Sequence, residues 1–199
     1  MAKRSQLDMN KILKQISVEV PKSLEKFANR EARKKANAVK KEVLQEFNRH
    51  EVTKEIEKGP SGTGSTLLGG RGNFFGFLGF EKGSQPVEIL RQTLENSFNL
   101  SGRKGRVIKV NQKTFKVEFD IMVPSKLDIY SVTPLSWTTK SWVKGVERGI
   151  TNYSQTVFKS SDSSRSGVAL QTQTKINFIK FGPTPYIINI LEKAKNKLK

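Results

Sequence analysis

The chain has 199 residues, enough for one domain with a real core, and carries 36 Lys and Arg against 18 Asp and Glu, a formal charge of +18. With no cysteine and a single histidine, disulfides, thiolate metal sites and histidine clusters are all excluded. A charge of this size points to a polyanionic partner or to assembly beside one, and it is also what a solvated lysine-rich surface looks like.

Residues 1–20 are expected to form a mobile N-terminal arm. MAKRSQLDMNKILKQ has basic residues with no apolar stretch behind them, so it is not a secretory signal. No run approaches the roughly 20 apolar residues that span a bilayer, so no membrane partner is expected and the protein is read as made in a cytoplasm.

The spacing of Leu24, Phe27, Ala28, Ala32, Ala36, Val39, Val43 and Phe47 predicts one helix over 21–57, opened by Pro21 as a first-turn residue. Its apolar stripe is narrow and alanine-rich; the rest of its surface is Lys, Arg and Glu. The stripe serves either a helix laid across its own sheet or contact with a neighbouring subunit. His50, in FNRHEVTK, is expected as a solvated surface histidine.

Residues 59–66, GPSGTGST, are one letter from the nucleotide loop G-x-x-x-x-G-K-[ST], but Ser65 stands where the lysine would reach the phosphates. A charged helical stretch precedes it where a P-loop follows a buried strand, so a polar loop is expected, with no nucleotide. The glycine-rich segment 59–83 sets Phe74, Phe75, Phe77 and Phe80 among glycines. That alternation suits core padding, or an arm inserting rings into a neighbour's groove. The length of the segment favours the arm, with these four phenylalanines as the oligomer interface.

A short helix over 86–97 carries Val87, Leu90, Leu94 and Phe98. RVIKV, NQK and TFKVEFDIMV then read as a hairpin, its second strand alternating Phe115, Val117, Phe119, Ile121 and Val123 with polar neighbours. Trp142, Val146, Ile150 and Tyr153 place a helix over 136–153. Two further strands flank the serine-rich turn SSDSSRSG, and a last helix presents Ile187, Ile190, Leu191 and Ala194. This order predicts an α+β fold: an antiparallel sheet of hairpins packed with N-terminal, middle and C-terminal helices in one domain spanning 1–199.

Nothing in the sequence has the pattern of an active site, and no catalytic, cofactor or metal-binding residues are assigned. The basic cluster SGRKGR is expected to present Arg103, Lys104 and Arg106 from a loop tip to DNA phosphates, without sequence specificity.

The helix LEKFANREARKKANAVKKEVLQEF running into GPSGTGSTL, together with the closing FGPTPYIINILEKAKNKL, resembles the tail-completion and head–tail joining proteins of long-tailed bacteriophages, including the minor tail protein Z type. The Phe/Gly segment is not part of that likeness. The resemblance implies a structural virion protein of the neck or tail end, assembled in the host cytoplasm. It would form a homo-oligomeric ring between portal or adaptor and tail-tube or tail-terminator proteins, through which DNA passes. The alternative is a non-specific nucleic-acid-binding protein.

Overall fold

A computed structural model describes residues 9–100, 106–109, 115–135, 138–150, 155–174 and 181–198, with backbone alone for residues 9–23, 106–109 and 115. In chain order the helices and strands are α1 (Met9–Arg49), α2 (Glu51–Glu57), α3 (Phe74–Phe77), α4 (Pro86–Glu95), β1 (Asn99–Leu100), β2 (Arg106–Lys109), β3 (Phe115–Glu118) and β4 (Ile121–Met122). There follow α5 (Lys126–Ser131), β5 (Pro134–Leu135), β6 (Thr138–Ser141), α6 (Trp142–Arg148), β7 (Thr156–Val157), β8 (Leu170–Gln171) and α7 (Ile187–Leu198). The fold is mixed α+β. Its strands form separate antiparallel pairs among the described residues, β1 with β4, β2 with β3, β5 with β6 and β7 with β8, rather than one sheet.

The chain divides into two compact units, one of residues 1–38 and 99–122, the other of residues 39–98 and 123–199. The division falls within α1.

In the second unit the predicted periodicities become a core. Val39, Val43 and Phe47 of α1 join Val52 and Ile56 of α2, Leu90 and Leu94 of α4, Trp142 and Val146 of α6, and Ile187, Ile190, Leu191 and Ala194 of α7. Aromatic rings run through it: Phe80 meets Trp142 edge-on at 5.7 Å, Trp142 meets Tyr186 at 6.1 Å, and Tyr186 stacks with Phe47 at 6.1 Å. Two pairs of buried hydroxyls bond each other, Thr53 with Tyr186 at 2.8 Å and Thr133 with Ser141 at 2.7 Å.

Local chemistry sets the boundaries. The predicted 21–57 helix begins earlier, at Met9, and breaks at His50, whose extended backbone makes it the N-cap of α2. Pro21 lies inside α1 rather than in a first turn, so the carbonyl four residues before it receives no helical N–H from this position. Residues 9–20 of the expected arm belong to the same helix. Pro86 opens α4 at its first turn, as expected. Ser125 and Asp128 form a reciprocal capping box around α5, a helix the apolar spacing did not announce. The middle helix covers only 142–148, because β6 occupies the residues before it and Gly149, at φ 84° and ψ 153°, ends it. A Cβ at Gly149 would lie 2.9 Å from the Phe181 carbonyl oxygen. Tyr153 is outside the described residues.

Candidate functional site

The four phenylalanines assigned to an oligomer interface sit inside the chain's own second unit, with Phe74, Phe75, Phe77 and Phe80 at 1%, 2%, 2% and 3% exposure. Phe74 and Phe77 pack on Phe181 at 5.4 and 5.7 Å, and Phe75 on Phe80 at 5.3 Å. The expected arm is corrected to core packing, and the glycines supply the reason. A Cβ at Gly76 would come within 2.8 Å of Val168 Cγ2, and one at Gly72 within 2.3 Å of the Phe158 ring. The small residues let this backbone lie against 158–169 while the rings turn inward.

Asn73 ties the segment to GPSG. Its side-chain oxygen accepts the Gly76 N–H at 2.6 Å, capping α3, and its amide nitrogen donates to the carbonyls of Gly59 at 2.8 Å, Pro60 at 3.4 Å and Gly62 at 2.5 Å. The look-alike nucleotide loop therefore turns carbonyl oxygens inward, where a phosphate cradle needs N–H groups. A donor amide fills that place.

His50 is half-buried, unlike the expected solvated residue. Its Nδ1 accepts the Val52 N–H at 3.2 Å, its Nε2–H donates to the Pro185 carbonyl at 3.1 Å, and its ring lies 4.7 Å from that of Tyr186. This arrangement uses the neutral imidazole. Burial pushes its pKa down, against the opposing pull of the Pro185 bond and nearby Glu46 and Glu51. With the folded pKa below the unfolded value of about 6.5, the contribution to stability is complete above that value and is lost as pH falls toward the folded pKa. Thermal midpoints measured between pH 8 and 5 should fall on the acid side for the wild type. His50→Asn, which keeps a competent N-cap, should flatten that fall; parallel curves would contradict this role.

Other ionisable groups are also engaged structurally. Burial raises the Glu147 pKa, while its carboxylate accepts the Ile188 N–H at 2.9 Å and the Tyr130 hydroxyl at 3.1 Å, closing the start of α7. Burial would raise Glu55 as well, but the Lys58 ammonium at 2.6 Å, with Ser65 and Thr66 beside it, holds that carboxyl below its ordinary value. A cleft of about 360 Å³ lies between Ile56, Phe75, Val87 and Arg91. Arg91 is joined to Glu57 and Glu88 at its edge, so its one positive charge is set against two carboxylates.

The basic cluster falls largely outside the described residues: Arg103 and Lys104 are not among them, and Arg106 is placed by backbone alone, opening β2 opposite Glu118. Among the described residues no helix is long and apolar enough to cross a membrane, and no group of His, Asp or Glu is arranged to hold a metal.

The first unit is different in kind. Among its described side chains, Ala36 is the one that is buried. On α1, Leu24, Ala28 and Ala32 are half-exposed, and Phe27 is 57% exposed. The last is a phase effect: Phe27 precedes Ala36 by nine residues, about two and a half turns, so it leaves the opposite side of the helix. In the hairpin, Val117, Phe119 and Ile121 alternate with exposed Lys116, Glu118 and Asp120 as predicted, yet none is fully covered, and Met122 is 55% exposed. The β2–β3 ladder, pairing Val107 with Val117 and Ile108 with Lys116, has no third strand among the described residues.

No protein-family model, curated protein or solved structure matches this chain significantly.

Proposed function

We propose that the protein is a structural subunit of a bacteriophage particle, at the neck or tail end, which assembles with copies of itself into a ring that DNA traverses. The supporting observation is the contrast between the two units. The second has a continuous core, whereas the first has amphipathic patterns in both helix and hairpin and a single buried side chain among those described. A two-stranded hairpin is marginal in water unless another surface covers its apolar face. A second copy of the chain is the occupant that suits a ring subunit, and it moves the intersubunit contact from the phenylalanine segment to the helix and hairpin. Portal or adaptor and tail-tube or tail-terminator proteins are the further partners of such a ring.

Light scattering on the full chain, paired with mass spectrometry of purified particles, tests this. Replacing Val117, Phe119 and Ile121 together by Asp should lower the assembled mass to that of a monomer while leaving the main thermal transition, set by the second unit's core, nearly in place. A wild-type chain that is monomeric in solution and missing from particles overturns the proposal.

A further inference from the structure

We infer that the outer face of α1 around Phe27 binds the phosphate backbone of nucleic acid, using four cations and one exposed ring. This deepens the proposed function, on which it rests only for bringing DNA near the protein. Lys26, Arg30, Arg33 and Lys34 share with Phe27 about a third of the helix circumference, at 100° per residue, over an axial length of about 12 Å. Successive phosphates on one strand advance about 3.4 Å, so four cations over that length match three or four of them. All four side chains are exposed. Lys26 and Arg33 have no ion pair among the described residues, while Glu31, at the margin of the face, holds Arg30 at 3.4 Å and Lys34 at 3.0 Å. Further along the same helix the charges are spent differently, Glu46 with Lys193 and Glu42 with Lys197.

Phe27 marks the class of polyanion. The Arg30 guanidinium lies 5.3 Å from its ring centroid, so a solvent-facing ring and a planar cation stand side by side. Unstacked bases pack on such a platform while the backbone follows the cations. An anionic bilayer would instead require a broad apolar face, and here one ring sits among charges.

The test uses the full-length protein and fluorescent 20-nucleotide oligonucleotides, single-stranded and duplex, with anisotropy read from 50 to 300 mM NaCl. One variant carries Lys26→Gln, Arg30→Gln, Arg33→Gln and Lys34→Gln. A control removes the same charge elsewhere on the exposed surface, by Lys54→Gln, Lys82→Gln, Lys140→Gln and Lys159→Gln. Glutamine preserves helix propensity, and circular dichroism verifies the fold. Loss of four contacts should reduce the salt slope by about 3 to 4, with roughly a hundredfold loss of affinity at the lowest salt, for the face variant and not for the control. Phe27→Ala should weaken single-strand binding by roughly fivefold or more and spare the duplex. Equal losses in face and control variants overturn the inference, as does wild-type binding to anionic vesicles but not to oligonucleotides. An unchanged Phe27→Ala overturns the role of the ring. Oligomeric mass and presence in particles are read separately, so a failed ring leaves this result standing, and the converse holds.

Discussion

Trp142→Ala should lower the stability of the second unit by about 3–5 kcal/mol, the range for truncating a large buried aromatic. Trp142 is 1% exposed at the start of α6, where Ser141 caps the helix by accepting the Lys144 N–H at 3.2 Å. Its ring meets Phe80, which packs on Phe75, on one side and Tyr186, which packs on Phe47, on the other. Truncation therefore opens a cavity between Phe80 of the glycine-rich segment and Tyr186 just before α7. Trp142→Phe, which keeps the hydrophobic character and part of the volume, should lose clearly less. Urea denaturation followed by circular dichroism checks both, and a loss below about 1 kcal/mol for the alanine variant would mean that Trp142 is not the centre of this core.

How much of this was legible depended on whether a signal was local. The α+β class and the buried faces of α4 and α7 follow from periodicity, because Val87, Leu90 and Leu94, and likewise Ile187, Ile190, Leu191 and Ala194, lie within one element and share one phase. Spacing at threes and fours puts Phe27 on the core stripe, but nine residues, about two and a half turns, separate it from Ala36, so it faces the other side of the helix. The capping box Ser125-x-x-Asp128 and the Asn before FFGF were visible signals for α5 and α3, and apolar spacing alone passed over both. Glu147 could not be assigned its task in advance, since the Ile188 N–H it receives is 41 residues away. The burial of the phenylalanines was equally remote: a ring among glycines looks the same in sequence whether it packs on its own chain or on another. For the first unit, the basic helical face was readable, but the scarcity of buried side chains beneath its amphipathic pattern is a tertiary fact.

Asn73→Asp should destabilise the protein more than Asn73→Ala, although aspartate is the closer match in shape. Asn73 is 5% exposed, and its two side-chain ends do opposite work. The oxygen accepts the Gly76 N–H, which aspartate and asparagine can both do at an N-cap. The amide nitrogen faces the carbonyl oxygens of Gly59 and Gly62 at 2.8 and 2.5 Å, where aspartate would set a negative oxygen against two acceptors. Alanine loses the cap and leaves the carbonyls without their donor, a cost of about 2–3 kcal/mol, because the half-exposed loop admits water to some of them. Aspartate adds repulsion to the lost donation, and the loop must move away or the carboxyl must take up a proton. The protonated acid could again donate to one carbonyl, so the aspartate variant should recover part of its deficit as pH falls toward 4, whereas the alanine variant should not. Denaturant midpoints of both variants relative to the wild type, at pH 7 and pH 5, decide the matter. An aspartate variant as stable as the wild type at pH 7 would mean that the loop's carbonyls do not converge on this side chain.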